Sequence, residues 1–156
     1  MASKVINADS WIATIEGLGK DADGVASRVV YEGAATVADG IREAIKGLPA
    51  QSSGERHRRG VTEVERAGLL EGLGVASHQK KDGSVNTKIG FSGYNAYVTK
   101  QYPKGHPNSM VARTVESGTS WLQKTPFIAP TVRRLRASTV AAMQAELDNY
   151  IRQKEK

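Results

Sequence analysis

The chain has no cysteine among its 156 residues. Disulfides, thiolate nucleophiles and cysteine-based zinc sites are excluded, so stability has to come from packing or from assembly with partners. No apolar run approaches the ~18–20 residues that a membrane-spanning helix requires. The opening M-A-S-K-V-I-N-A-D also lacks the apolar centre of a signal peptide. A soluble, unprocessed product with no membrane partner is expected. The sequence contains no G-x-S-x-G elbow, no Walker-type phosphate loop and no H-x-x-x-H pair. His57, His78 and His106 stand far apart, so folding alone would have to assemble a metal site from them; solvent-exposed loop or strand histidines are expected instead. The expectation is a protein that is not an enzyme and carries no cofactor or metal.

Glycine and positive charge are plentiful. Sixteen glycines exceed the usual share of about 7% and predict many turns or helix interruptions. The formal charge of +6 favours anionic partners, either nucleic acid or the acidic rim of another protein, and it equally serves solubility. A chain of this length fits one domain, 1–156.

The spacing of apolar residues sets the order of elements. Asp9 and Ser10 stand before Trp11, Ile12, Ile15 and Leu18 and predict a short first helix ending near Gly19. From Asp21, the positions Val25, Val29, Val37, Ile41, Ile45 and Leu48 predict a long helix stopping at Gly47 to Pro49. Gly24, Gly33 and Gly40 inside it imply either close packing of another backbone or a bend. Ala50 to Gly60, A-Q-S-S-G-E-R-H-R-R-G, has no apolar residue after its first and reads as a mobile basic loop. Thr62 to Gly72 reads as one weak helix that breaks at Gly68.

Leu73 to Lys81 and Ser84 to Phe91 flank Asp82-Gly83, a pair that suits the left-handed dihedrals of a type I′ hairpin turn. Val85, Thr87, Ile89 and Phe91 alternate with polar or small residues, so one face of that strand is apolar. A short third strand is expected around Ala96 to Lys100. Val111 to Ser117 forms a short helix ended by Gly118. The last helix is expected to begin after Pro130 with Thr131 as its cap. Val132, Leu135, Val140, Met143, Leu147, Tyr150 and Ile151 are read as its inward stripe.

Few motifs carry chemistry. Gly17-Leu18-Gly19-Lys20-Asp21-Ala22 has the outline of a dinucleotide loop but follows a helical segment where a strand is needed, so it reads as a turn between helices. Asp21-Ala22-Asp23-Gly24 lacks the remaining ligands of a calcium loop and reads as a helix start. Arg56, Arg58 and Arg59 are a basic cluster that either tracks a phosphate backbone or is simply solvated. Arg133, Arg134 and Arg136 crowd the start of the last helix, where the dipole disfavours cations, and so require an anionic neighbour, a partner or water. Glu116 opposes the dipole at the end of its own helix; Arg136 is its candidate partner, although snorkelling of that arginine's stem is the commoner outcome.

V-A-R-T-V-E-S-G-T, then P-F-I-A-P, then a long amphipathic C-terminal helix resemble the gene-product-ten-like neck and tail-completion family of long-tailed bacteriophages. The resemblance runs from about Gly68 to the C-terminus. Glu116, Gly118, Thr119, Pro126, Phe127 and Pro130 fall on its most recognisable positions, while Ala67 stands where the family usually has threonine. It implies an α+β fold, with long N- and C-terminal helices packed on a small antiparallel sheet. It also implies a structural virion protein of the neck or tail end, a homo-oligomer forming a hexameric ring. Such a ring docks on neighbouring connector and tail proteins, lets genome DNA pass, and assembles in the host cytoplasm. Arg56, Arg58, Arg59, Arg133 and Arg134 are the candidate contacts to DNA or to a partner. The alternative is a basic nucleic-acid-binding accessory protein; a small hydrolase or lysis accessory is a further rival.

Overall fold

The computed structural model describes residues 16, 17, 19–51 and 58–156. The first short helix lies largely outside the described residues, as do Arg56 and His57. The fold is α+β. In chain order the elements are α1 (Ala22–Lys46), β1 (Arg58–Arg59), α2 (Glu63–Gly72), β2 (Leu73–Val75), β3 (Gln79–Lys81), β4 (Ser84–Asn86), β5 (Ile89–Phe91), α3 (Asn108–Ser117), β6 (Leu122–Gln123) and α4 (Ile128–Lys154). Among the described residues, no helix is long and apolar enough to cross a membrane.

The two long helices pair antiparallel. Asp21 accepts a hydrogen bond from Tyr150 at one end, Gly33 faces Met143 and Thr139, and Gly40 faces Leu135 and Thr131. Small residues make this closeness possible: Gly33, Ala34 and Ala38 are buried on α1, whereas Val29 and Val37 are only half-buried. The glycines therefore serve close packing. Arg28 bonds Glu146 across the pair at 2.7 Å.

The inward stripe of α4 differs from the expected one. Leu135, Met143, Leu147 and Tyr150 are covered, but Val132 and Val140 are 44% and 61% exposed. Helical geometry explains this, because Val140 lies on the turn face shared with Arg133, Arg136 and Ala137 rather than on the face of Leu135 and Met143.

The apolar core gathers at the C-terminal half of α1, where Ile41, Ile45 and Leu48 meet Val61, Leu69, Leu73, Val111, Val115, Leu122 and Phe127. The helix α2 is unbroken. Thr62 and Glu65 close a reciprocal capping box at its start. Arg66 then donates to the carbonyls of Ile45, Lys46 and Leu48, satisfying orphan acceptors at the end of α1. Gly68 is not a break but a contact point, since a Cβ there would stand 2.5 Å from Asn108 Oδ1 and 2.7 Å from Asn95 Cβ.

The hairpin forms as the sequence predicts, with Asp82 at φ 51° and Gly83 at φ 76°. It is built in two antiparallel pieces, β2 with β5 and β3 with β4. Val85, Thr87, Ile89 and Phe91 are half-buried while their neighbours are exposed. Its distal end leans on α1, where the Tyr31 hydroxyl accepts from the His78 amide at 2.8 Å.

The third strand at Ala96 to Lys100 does not form. Asn95 Oδ1 accepts from the amides of Tyr97 and His106, and Thr99 and Tyr102 exchange backbone bonds, so the segment folds back on itself as a loop. The ends of the segment expected as a basic loop are ordered, while 52–57 lie outside the described residues. Gln51 bonds Val61, and Arg58–Arg59 pair in parallel with Leu122–Gln123, which fixes both of its ends.

Candidate functional site

The resemblance residues converge on one joint between α3 and α4. The helix α4 begins at Ile128, earlier than expected, so Pro130 lies within its first turn and Thr131 is not the cap. Glu116 caps it instead. Its carboxylate accepts from the amides of Phe127 at 2.7 Å, Ile128 at 2.9 Å and Ala129 at 2.9 Å. A helix start leaves four amides without partners. Here Glu116 takes the first three and Pro130 has no N–H to satisfy.

Glu116 is thus satisfied by backbone amides, and Arg136, its candidate partner, makes no ion pair with it. Burial raises the Glu116 carboxyl, but the amides of Ile128, Ala129 and Phe127, aided by the Lys124 charge, outweigh it and hold the group below the ordinary carboxylate range. The positive end of the α4 dipole acts in the same direction.

The neighbouring residues set the chain path. Gly118 has φ 75° and ψ 167°, a region essentially open only to glycine, and a Cβ there would meet the Lys124 amide nitrogen at 2.9 Å. Thr119 Oγ1 accepts from the amide of Leu122 at 3.0 Å, closing the turn into β6. Pro126 is exposed and blocks an earlier helix start. Phe127 is 3% exposed and meets Phe91 edge-on at 6.3 Å, tying the joint to the hairpin. Thr131 donates to the Phe127 carbonyl at 2.7 Å.

The arginines separate into two kinds. Arg58 is consumed by Glu65 in a bidentate pair at 2.9 and 2.8 Å, with side chains only 11% and 13% exposed. The bond to Glu65 raises Arg58 above its ordinary value against the effect of burial. Burial likewise raises Glu65, but Arg58 and Thr62 override it and hold its carboxyl low. Arg58 is thus a structural cation rather than a free loop contact. Arg59, Arg133, Arg134 and Arg136 are exposed, and among the described residues none makes an ion pair.

His78 is held by Tyr31, and His106 by Tyr97 and Tyr102. A second surface was not apparent from sequence. Val64, Tyr97, Tyr102, His106, Met110 and Trp121 line a groove beside the joint. Its only sequence signal is the run of Tyr94, Tyr97 and Tyr102 around the segment where a short strand is expected. Comparison with family models, curated proteins and solved structures found no match.

Proposed function

We propose that this chain is a structural protein of the phage neck or tail end, a tail-completion or head–tail joining component that assembles as a ring around a DNA passage. One observation carries the reading. The residues on which the family resemblance rests act together as a mechanical joint, with Glu116 gripping the start of α4, Gly118 permitting the reversal and Phe127 anchoring the hairpin. A joint of this kind fixes the angle of a long helix and suits a protein whose work is docking. The groups whose ionisation the fold shifts, Glu116, Glu65 and Arg58, are all engaged in holding structure, which favours a non-enzymatic role over a hydrolase.

Six copies in a hexameric ring, contacts to connector and tail proteins, and location in the virion follow from the resemblance. Arg133 and Arg134 meet either DNA or a neighbouring protein. Phage assembled without the chain is expected to accumulate filled heads and finished tails that fail to join. Normal yields of joined particles would overturn the proposal. A second reading, a nucleic-acid-binding accessory, draws on the exposed arginines of α4, which make no ion pair among the described residues. It predicts tight DNA binding by the isolated monomer that falls steeply with salt.

A further inference from the structure

The groove beside the joint has a cavity volume of about 930 Å³ and lies between the start of α2, the 97–106 loop, α3 and the turn at Trp121. Its wall is a set of interlocked rings: His106 stands 5.2 Å from Tyr97 and 4.7 Å from Tyr102, centroid to centroid. Trp121 is 55% exposed and Tyr97 51% exposed at the rim. Such rings lose little freedom on contact and form a preformed surface. The floor is electrically closed, because Arg58 and Glu65 satisfy each other there. At the rim are Lys100 and Glu63, whose carboxylate is 76% exposed and reaches Arg66 only at 3.5 Å. Exposed aromatic rings beside a loosely held carboxylate suit a cation on an apolar stem. Guanidinium suits them best, being planar and weakly hydrated.

The same molecule carries cations that make no ion pair among the described residues. Arg133, Arg134 and Arg136 border Ala137 and Val140 on the side of α4 that faces away from α1. Val140 is 61% exposed there.

We infer that the aromatic groove receives the arginine-bearing face of α4 from a second copy of this chain. Guanidinium groups lie over Tyr97 and Trp121, one pairs with Glu63, and Val140 enters the apolar part of the groove. Aromatic residues and arginine are the side chains that dominate interface energetics. A groove on one copy and a helix face on the next are unlike halves, the kind of contact from which closed rings are built. The inference rests on the oligomeric reading above only in needing copies to meet.

Sedimentation velocity of the full chain over a concentration series tests it. The wild type is expected to associate. Tyr97→Ala with Trp121→Ala, or Arg133→Glu with Arg134→Glu, is expected to weaken association by at least ~10-fold. Mixed in equal amounts, the two variants should pair, since each keeps the half that the other lacks, and should stop short of wild-type assembly. Glu63→Arg alters the groove without touching its rings, so a folding defect in the aromatic variant leaves the test decisive. A monomeric wild type, variants that associate normally, or a mixture that does not pair would each overturn the inference. So would a single-stranded oligonucleotide that binds the wild type and not the groove variant. If the copies pair as described but purified particles lack the chain, the virion reading fails and this inference stands. If particles contain the chain and the variants assemble normally, the reverse holds.

Discussion

With Phe127, Ile128 and Ala129 all donating to one carboxylate, replacing Glu116 by alanine strands three amides at once. Loss of an ordinary cap costs about 0.5–2 kcal/mol, and Glu116→Ala is expected at or above the top of that range. At ~2–4 °C per kcal/mol for a chain of this size, calorimetry should show the melting point falling by about 4–8 °C. The pH dependence has a definite sign. The folded carboxyl lies below its ordinary value, so its contribution is complete above the unfolded value of about 4.3 and is lost as pH falls through the folded value. The stability gap between wild type and Glu116→Gln should therefore narrow as pH drops from 6 towards 3; a gap that stayed constant would show that charge has no part in the cap. Gly118→Ala is expected to cost about 1–3 kcal/mol in urea melts, because both its dihedrals and the Lys124 backbone oppose a Cβ.

The pairing of α1 with α4 depends on how closely two backbones approach. Alanine in place of a helical glycine ordinarily gains up to ~1 kcal/mol. At Gly40, however, a Cβ would run into Leu135 and Thr131, and overpacking costs ~1–3 kcal/mol. Gly40→Ala should be destabilising by urea melts. Gly33→Ala should cost less, since its obstacles, Met143 Sδ at 2.8 Å and Cγ at 2.9 Å, belong to a flexible side chain and stand farther off than Leu135 does from Gly40. Equal effects would argue against this account of the helix contact.

The elements themselves were legible in the sequence wherever one local rule decided them. Asp82-Gly83 could only be a tight turn, and the alternation from Val85 to Phe91 gave the hairpin its face. Glycine was the ambiguous letter: Gly68 read as a break, and Gly40 as either a close contact or a bend, because their partners Asn95, Asn108 and Leu135 come from distant segments. The start of α4 was misplaced for the same reason. Pro130 looks like the residue before a start capped by Thr131 until the distant Glu116 is seen to take the amides of Phe127, Ile128 and Ala129. The third strand failed because Asn95 bonds two amides locally, a competition that alternation does not register.

Across the whole molecule, positive charge is distributed unevenly in its engagement. Arg28, Arg58 and Arg66 are tied to carboxylates or carbonyls, whereas Arg133, Arg134 and Arg136 face outward together. The joint's residues were identifiable from sequence as a group, though not their mechanics. The aromatic groove was not, because Tyr97, Tyr102, His106 and Trp121 come together only when the 97–106 loop folds back against α3. We propose that the chain forms a ring where head meets tail, and imaging that junction in purified particles tests it most directly. The account predicts a ring layer around an open channel into which this fold fits. Particles whose junction contains no density for the chain would contradict it.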